Sequence, residues 1–316
     1  MSDYLDGFIG QQELRKQVNF AVDGYKATKF LDNTLFIAKR GDGKTTVSRK
    51  VGENLGKKFL EINGSSIKSI SSFVDQVIIP FVSNNQEICM FIDEVACVNP
   101  KVQEWMLSML QYDPQTKRST AMHDGVKHDF NFTKLSCVAA TTSPQLLSNA
   151  FKSRFNRLEF SDYTQGDLVE ILHKYSPDVQ YSDNIEPNIV EASRGSPREI
   201  SLRLTNFIYQ YLSQRKTDNS FGAKDWDLLR KTLTIRPLGL SAHEEKLLRT
   251  LSKSQKTVTN LTGVFNLDMS TIRKEIELYP VSLELVSIGQ KRQITNKGIA
   301  ILKEIDTLKK DTLGKS

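Results

Sequence analysis

Short apolar runs alternate with helix-length segments through the first half of the chain. Four of these runs predict buried strands, at residues 34–38, 88–92, 135–140 and 157–160. Segments long enough for helices separate the strands, and residues 45–55 form the clearest of them. Apolar strands joined by helical crossovers predict a parallel sheet that is covered on both faces. Such a sheet binds its ligand beyond the carboxyl ends of its strands.

The pattern changes after Tyr163, where strand signals stop and helical periodicity takes over. Helices are predicted over residues 166–175, 184–193, 197–213 and 223–233. Residues 236–239 form a natural boundary, and Ser241 with Glu244 fits a capping box at the start of the next helix. Two more helical segments and two short strand segments, at 283–288 and 293–295, then give the element order of a winged helix.

Composition narrows the class of protein. The chain has 316 residues, enough for two or three packed units, and its 39% hydrophobic residues exclude wholesale disorder. The net charge of +6 permits an anionic partner such as nucleic acid, although a solvated basic surface explains it equally well.

The N-terminus and the cysteines predict a cytoplasmic protein with no membrane partner. The N-terminus is acidic and lacks the basic region of a signal peptide, and apolar stretches such as residues 77–82 are too short to span a bilayer. Cys89, Cys97 and Cys137 have no disulfide or metal-ligand spacing, so we expect reduced, buried thiols. The four histidines are isolated and predict no zinc site.

The sharpest motif is Gly41-Asp-Gly-Lys-Thr-Thr46, which lies between an apolar strand and a predicted helix. In a P-loop, glycines let backbone N–H groups surround phosphate oxygens, and the following helix directs its positive end at the same anion. Lys44 can then reach the β- and γ-phosphates, and the Thr45 hydroxyl can bind Mg²⁺. The alternative is an ordinary Gly-rich turn before a helix.

Two residues depart from the full P-loop pattern. Ala38 occupies the first glycine position. Asp42 puts a carboxylate inside the anion cradle, where it opposes phosphate binding unless its side chain points outward. Lys39 and Arg40 could offset that charge.

A second motif places two carboxylates at the end of an apolar strand. In Met90-Phe-Ile-Asp-Glu94, Asp93 can hold the Mg²⁺ shell and Glu94 can orient an attacking water or accept its proton. Adjacent buried acids are costly unless such chemistry uses them. Solvated acids at a strand end are the alternative, but the spacing of about fifty residues after the loop favours an ATPase.

Three weaker motifs follow in order. Thr142 closes an apolar strand and could place a hydroxyl near the γ-phosphate or the attacking water, although a threonine at an ordinary strand end is the alternative. Arg154 could act on the nucleotide of a neighbouring subunit, as arginine fingers do, and an ordinary surface arginine is its alternative. Arg198 could contact phosphates from the helical unit, although Ser196 and Pro197 also explain that segment as an ordinary helix start.

Taken in order, these motifs resemble those of the AAA+ ATPases, and more closely those of the RuvB-type Holliday junction branch migration ATPases. The resemblance runs from about Tyr4 to Leu302. Segments that match the family are residues 5–11 (its opening segment), 31–35 (before the P-loop), 140–142 (sensor 1), 158–164 (after the arginine finger), 194–198 (sensor 2) and 238–240 (the start of the winged helix).

The resemblance implies a fold, a set of site residues and two cofactors, ATP and Mg²⁺. The fold class is α/β, with an AAA+ P-loop parallel-sheet domain at residues 1–162, a small helical lid domain at 163–236 and a winged-helix DNA-binding domain at 237–316. The catalytic positions fall on Asp93, Glu94, Thr142 and Arg154, and Mg²⁺ would be held by Thr45 and Asp93. The nucleotide-binding positions fall on Gly41, Asp42, Gly43, Lys44, Thr45, Thr46, Phe8, Ile9, Tyr163 and Arg198.

The resemblance also implies partners: duplex or branched DNA, a homo-oligomeric ring that is a hexamer in the family, and a junction-binding protein of the RuvA type. Family members dock RuvA through an apolar hairpin tip between the acid pair and sensor 1. Here residues 116–122 and 126–132 can pair around His123-Asp-Gly125, but that tip is polar. A different replication or recombination protein is therefore an alternative partner.

The predicted winged helix offers four cations to DNA phosphates. Arg273 and Lys274 lie on its third helix, and Lys291 and Arg292 lie at the tip of its wing. A protein-contact role is the alternative for this domain.

Three functions follow from these observations. The first is an ATP-driven motor that moves duplex or branched DNA in recombination and repair. The second is a loader or initiator subunit in replication, suggested by the altered hairpin. The third is a nucleotide-binding scaffold with little turnover, suggested by Ala38 and Asp42.

Overall fold

The computed structural model describes residues 3–82, 86–111, 118–123, 126–215 and 219–313. These fall into two compact units: Met1–Asp167 with Ser196–Arg198, and Leu168–Gly195 with Glu199–Ser316. The chain therefore passes between the units on both sides of a three-residue segment. The division into three domains at residues 162 and 236 stays a prediction.

A five-stranded parallel sheet organises the first unit. Its strands are β1 (Thr34–Ile37), β2 (Lys58–Asn63), β3 (Ile88–Asp93), β6 (Leu135–Thr141) and β7 (Asn156–Glu159), in the spatial order β2-β3-β6-β1-β7. The helices of this unit are α1 (Gln12–Thr28), α2 (Lys44–Asn54), α3 (Ile70–Phe73), α4 (Pro100–Met109) and α5 (Asn149–Lys152), with a π-helical segment at Val74–Val82. The predicted α/β parallel sheet is confirmed.

Apolar side chains cover both faces of the sheet, as predicted. One cluster includes Phe73, Met106 and Phe151, and the other includes Val18 and Val47. The edge strand β2 was not predicted. Its sequence mixes polar and apolar positions because no residue of the strand is fully buried, so it lacks the continuous apolar run of β3 and β6.

A hairpin lies between the acid pair and the last strands, as the sequence predicts. Strands β4 (Arg118–His123) and β5 (Val126–Asn131) pair in antiparallel register, with His123 opposite Val126. Its turn residues, Asp124 and Gly125, lie outside the described part of the chain. The Trp105 ring packs edge-on against Phe130 and Phe132 at the base of the hairpin.

The second unit is mainly helical. Its helices are α6 (Gln165–Tyr175, which starts in the first unit), α7 (Glu186–Glu191), α8 (Pro197–Glu199, of which only Glu199 lies in this unit), α9 (Thr205–Arg215), α10 (Ala223–Thr232), α11 (Ala242–Lys253), α12 (Val258–Phe265), α13 (Met269–Thr271), α14 (Leu278–Ser282) and α15 (Asn296–Leu313). Strands β8 (Gln180–Tyr181) and β9 (Ser220–Phe221) form a short parallel pair. No strand is predicted between residues 163 and 236, and this pair was missed because two-residue strands carry no periodic signal.

The last part of this unit follows the predicted element order. The Ser241 hydroxyl accepts a hydrogen bond from the Glu244 N–H at 3.2 Å, and Glu244 Oε2 accepts one from the Ser241 N–H at 2.7 Å, which confirms the capping box. A hairpin of β10 (Val286–Ile288) and β11 (Arg292–Ile294) follows the helices. The predicted third helix is broken into α13, a π-helical segment at Ile272–Ile276, and α14.

Two further sequence expectations meet the structure here. Cys89 and Cys137 are buried as expected, but Cys97 is exposed, because it lies in a 3-10 turn after β3 and not in a strand. None of the described helices combines the length and the apolar character needed to cross a bilayer.

A buried carboxylate holds three parts of the second unit together. Glu245 on α11 accepts hydrogen bonds from Arg236 at 2.6 Å and from Arg249 at 2.8 Å, and it also pairs with Lys309 on α15. Burial alone would raise the pKa of Glu245, but the hydrogen bonds from the three cations outweigh it and lower the pKa from 4.5 to about 2.

We predict that Glu245→Gln lowers the free energy of unfolding at pH 7 by about 2 kcal/mol, less than the full pKa shift implies because Arg249 and Lys309 are partly solvated. Since the folded-state pKa lies below the unfolded value, this contribution is complete above pH 4.5 and disappears as the pH falls toward 2. Thermal melts from pH 7 to pH 3 measure it: the difference from wild type should shrink on acidification. The control is Glu275→Gln, at an exposed position of the same unit. A difference that stays constant with pH would contradict the assignment.

Candidate functional site

The loop between β1 and α2 requires glycine at two positions. Gly41 and Gly43 have φ of 95° and 98°, in the left-handed region that other residues rarely adopt. A Cβ on Gly43 would lie 2.8 Å from the ring of Phe8, and a Cβ on Gly41 would lie 2.6 Å from the Ser196 hydroxyl. Both positions therefore exclude a larger residue. A glycine-rich loop of this kind before a helix is the arrangement whose backbone N–H groups bind phosphate.

Lys44 lies beneath this loop and is only 7% exposed. Its ammonium donates to the carbonyl oxygens of Ala38 at 3.2 Å and Lys39 at 3.1 Å, and it lies 3.8 Å from Glu94 Oε1. Burial lowers the pKa of Lys44, and the nearby carboxylates, Glu94 first, partly restore it. A buried cation at a helix N-terminus is suited to an anion of several charges.

Asp42 does not oppose an anion in the way its position in the motif suggests. Its carboxylate turns back and accepts a hydrogen bond from the Lys39 N–H at 2.9 Å, while its carbonyl accepts one from the Tyr163 hydroxyl at 2.8 Å. Burial raises the pKa of Asp42, and the hydrogen bond from the Lys39 N–H opposes that shift. Asp42 therefore braces the loop.

Ala38 also fits without strain. It is not among the described residues with positive φ, and its N–H continues the sheet by donating to the Thr141 carbonyl at 3.3 Å. Glycine is needed only where φ is positive or space is absent, so the methyl group is tolerated here.

The acid pair lies beside Lys44, at the carboxyl end of β3. Asp93 ends the strand, and Glu94 has φ of 51°, which turns its side chain out of the strand direction. Glu94 Oε2 accepts hydrogen bonds from the N–H and the hydroxyl of Thr142, each at 3.2 Å. The structure thus brings Lys44, Glu94 and Thr142 together at the ends of neighbouring strands.

The other predicted nucleotide-binding residues are placed around this cluster. Thr45 is half-buried in the first turn of α2, and Thr46 is exposed. Phe8 packs against Gly43, and Ile9 beside it is half-buried. Arg198 is exposed, with its Cβ 3.1 Å from the position that a Cβ on Gly41 would take.

A cavity of about 220 Å³ opens next to the loop. Its lining comes from β1, the loop and the ends of two other strands: Ile37, Ala38, Lys39, Thr142, Glu159 and Phe160. It lies where a parallel sheet is expected to bind its ligand.

Arg154 lies apart from this cluster. Within the described residues its side chain forms no hydrogen bond or ion pair, and its buried Nε has no partner. Its carbonyl accepts a hydrogen bond from Asn33 Nδ2 at 3.1 Å, which holds its backbone against the start of β1. The structure does not bring this arginine to the site of its own chain.

Gln11 is a site residue whose role sequence reasoning missed. Its amide donates to the Ser161 carbonyl at 2.6 Å and accepts from the Ser161 N–H at 2.8 Å. This pairing joins the segment that carries Phe8 to the segment that carries Tyr163. A glutamine at the end of a loop has no local signal for a partner 150 residues away.

The predicted DNA-binding residues do not all reach the surface. Arg273, Lys274 and Lys291 are exposed. Arg292 is not: it is 8% exposed, and its guanidinium donates to both carboxylate oxygens of Glu277 at 2.9 and 3.0 Å. We therefore correct its assignment from DNA contact to internal ion pair, because Arg292 starts β11 and its side chain turns toward the π-helical segment.

Comparisons with known proteins identify relatives over almost the whole chain. Residues 2–159 match the family model for the Holliday junction DNA helicase RuvB P-loop domain. The chain is 28% identical over 310 residues to the Holliday junction branch migration complex subunit RuvB of Pseudothermotoga lettingae, covering 90% of this chain and 83% of that protein. It is 24% identical over 304 residues to the same subunit of Rickettsia africae, with the same coverage.

Solved structures agree with these sequence relatives. The Thermotoga maritima RuvB Holliday junction branch migration motor superposes with a TM-score of 0.76 at 25% identity, covering 96% of this chain and 97% of that chain. A point mutant of the same Thermotoga protein superposes with the same TM-score and identity, covering 98% of that chain.

The contact between Thr142 and Glu94 generates a prediction for turnover. Thr142→Val removes the hydroxyl but keeps the backbone N–H bond, so Glu94 is oriented by one donor in place of two. We expect kcat for ATP hydrolysis to fall about tenfold, with KM changed by no more than about twofold. Steady-state phosphate release measures both constants. The control is Thr133→Val, at an exposed position just before β6. An unchanged kcat would show that the hydroxyl does not orient Glu94.

The placement of Arg292 generates a second prediction. Arg292→Ala should lower the free energy of unfolding by about 3 kcal/mol, because it leaves the buried Glu277 carboxylate without its partner. Lys291→Ala, one residue earlier on the surface, should leave stability within about 0.5 kcal/mol of wild type. Denaturant unfolding of the two variants measures the difference. If the two variants are equally stable, Arg292 does not form a buried ion pair, and its original prediction as a DNA contact stands.

Proposed function

The chain belongs to the RuvB family of P-loop ATPases, and from this premise we propose that it is an ATP-driven motor that moves branched DNA. The observation that carries the proposal is the cluster of Lys44, Glu94 and Thr142 at the carboxyl ends of neighbouring parallel strands. A scaffold that only holds nucleotide has no need of a carboxylate that two donors fix beside the phosphate-binding lysine.

The donors at the site fit a magnesium–nucleotide complex. The loop with Gly41 and Gly43 offers N–H groups to the phosphates, and Lys44 supplies the buried positive charge. Mg²⁺ would be held by the Thr45 hydroxyl and Asp93, and when bound it neutralises phosphate charge. Phe8 and Tyr163, which pack against the loop, would border the adenine side together with Ile9.

Different residues of this chain would have different roles in ATP hydrolysis. Glu94 orients a water molecule and accepts its proton, while the Thr142 hydroxyl keeps the carboxylate in place. Arg198 adds positive charge over the loop. Both departures from the P-loop pattern are accommodated, since Ala38 continues the sheet and Asp42 braces the loop.

The isolation of Arg154 supports an assembly in which it acts on a neighbouring copy. A guanidinium that has no hydrogen bond or ion pair among the described residues is suited to stabilise charge at the nucleotide of an adjacent subunit. Repetition of one such heterologous contact closes into a ring at the right rotation, and the family implies a hexamer. Duplex or branched DNA would meet the exposed Arg273, Lys274 and Lys291.

Two predictions from the sequence remain part of this proposal. The partner is a junction-binding protein of the RuvA type, or another recombination protein if the hairpin of β4 and β5 has lost that contact. The cytoplasm is the expected location. The loader and scaffold alternatives are not favoured, because the relatives are branch migration subunits over most of the chain.

Hydrolysis and junction movement test the proposal together. We expect wild-type protein to hydrolyse ATP faster with four-way junction DNA and to convert that junction to duplex products. Glu94→Gln should bind ATP with near-normal affinity but lower kcat by about 100-fold or more, since it removes the proton acceptor. Lys44→Ala should lose ATP binding itself.

The matched control is Lys16→Ala, which changes an exposed lysine of the same unit that pairs with Glu13. It should keep activity within about threefold of wild type. The motor proposal is wrong if Glu94→Gln hydrolyses ATP as fast as wild type. It is also wrong if the wild-type protein hydrolyses ATP without converting the junction.

A further inference from the structure

Arg194 opens the segment that ends at Arg198, but its side chain is used for a different contact. Its Nη1 and Nη2 donate to Glu244 Oε2 at 3.1 Å and Glu244 Oε1 at 2.9 Å. The same guanidinium lies 3.7 Å from the ring centroid of Tyr279. The Glu244 side chain is 1% exposed, so the ion pair is shielded from water on the carboxylate side. A bidentate pair that also stacks on a ring fixes the orientation of the arginine.

The two partners of Arg194 are themselves anchored in the second unit. Glu244 Oε2 also accepts the capping hydrogen bond from the Ser241 N–H, so it belongs to the first turn of α11. The Tyr279 hydroxyl donates to the Leu238 carbonyl at 2.7 Å, which ties α14 to the turn before α11. One guanidinium therefore contacts the starts of two helices of the winged-helix part.

The backbone conformation at Arg194 and Gly195 explains why the contacts of the Arg194 guanidinium matter. Arg194 and Gly195 have φ of 58° and 76°, two consecutive left-handed residues. For a non-glycine residue this conformation is strained and persists only where the surroundings hold it. A Cβ on Gly195 would meet no atom within 4 Å, so packing at Gly195 does not restrain the chain there.

The chain changes units immediately after this point. Residues up to Gly195 belong to the second unit, whereas Ser196–Arg198 belong to the first. In the first unit, the Ser196 hydroxyl and the Arg198 Cβ approach Gly41 of the nucleotide loop. A five-residue segment therefore has one end at the loop and the other in the Arg194 ion pair.

We propose that Arg194 is a positioning residue that transmits the nucleotide state of the Gly41 loop to helices α11 and α14. The inference rests on the proposed function and assigns a residue that couples its two halves. A displacement of Ser196–Arg198 at the loop is passed on because the guanidinium holds Arg194 to Glu244 and Tyr279. Without that tie, Gly195 absorbs the displacement by rotating in open space.

The test replaces the guanidinium while keeping the backbone conformation. Arg194→Asn suits this purpose, because asparagine adopts the left-handed conformation more readily than other non-glycine residues. The control is Arg203→Asn, which removes an exposed arginine that pairs with Glu199 in the same unit. Because Arg194→Asn leaves the buried Glu244 without its cation, we expect its melting temperature to be lower, and all proteins are compared at a temperature where each is folded. Four quantities are then measured for each protein: KM for ATP, kcat without DNA, affinity for junction DNA, and stimulation of hydrolysis by that DNA.

We expect Arg194→Asn to keep KM, basal kcat and DNA affinity within about threefold of wild type and to lose DNA stimulation by about tenfold or more. Arg203→Asn should keep all four. If DNA stimulation persists in Arg194→Asn, the coupling role is overturned. If DNA affinity falls together with stimulation, Arg194 only holds the DNA-binding part in place, which also overturns the proposal.

A second measurement works without DNA turnover. Amide hydrogen exchange at residues 241–246 should slow when wild-type protein binds a slowly hydrolysed ATP analogue, and should not respond in Arg194→Asn. Equal responses in both proteins overturn the inference. If DNA does not stimulate hydrolysis in the wild-type protein, the proposal that the chain is a DNA motor is wrong. The hydrogen-exchange result still tests, independently, whether Arg194 transmits the nucleotide state.

Discussion

The buried ammonium of Lys44 is the constraint around which the first unit is arranged. A charge that is almost withdrawn from water is tolerated only where opposite charges and carbonyl oxygens surround it. Here Glu94 and the carbonyls of Ala38 and Lys39 provide that environment. They can do so because β1, β3 and β6 are neighbouring parallel strands, whose carboxyl ends meet at one edge of the sheet. Glu94 is held by Thr142 on its other side, so the proposed anion-binding group, Lys44, and the proposed water-activating group, Glu94, lie in one connected set of contacts.

The second unit depends on buried carboxylates of a different kind. Glu244, Glu245 and Glu277 are each at most 5% exposed, and each is paired with arginine. Removal of one partner from such a pair is costly, so these pairs specify how the helices meet. These carboxylates also hold arginine side chains in internal ion pairs. The positive charge of this region is therefore smaller at the surface than the sequence suggests. Of the four cations predicted to contact DNA, only Arg273, Lys274 and Lys291 are exposed.

The local sequence pattern predicts some elements of the two units and misses others. Buried central strands such as β3 and β6 are predictable because full burial requires a continuous apolar run. The edge strand β2 and the two-residue strands β8 and β9 are not, because partial burial or short length leaves no periodic signal. The capping box at Ser241 and Glu244 is predictable, since both its hydrogen bonds form within one turn of chain. The second use of Glu244, as the partner of Arg194, depends on a residue fifty positions earlier.

The amino-acid sequence alone predicts three features: the glycine-rich loop, the acid pair after an apolar strand, and the order of elements. It does so because each feature depends on residues that are close together in the chain. The contacts of the charged side chains cannot, because they form only in the folded chain. Folding turns the Asp42 carboxylate back onto the loop, sets Thr142 against Glu94, buries Arg292 on Glu277 and directs Arg194 to Glu244 and Tyr279. A long charged side chain can reach many partners, and which one it meets is settled by the packing of distant elements.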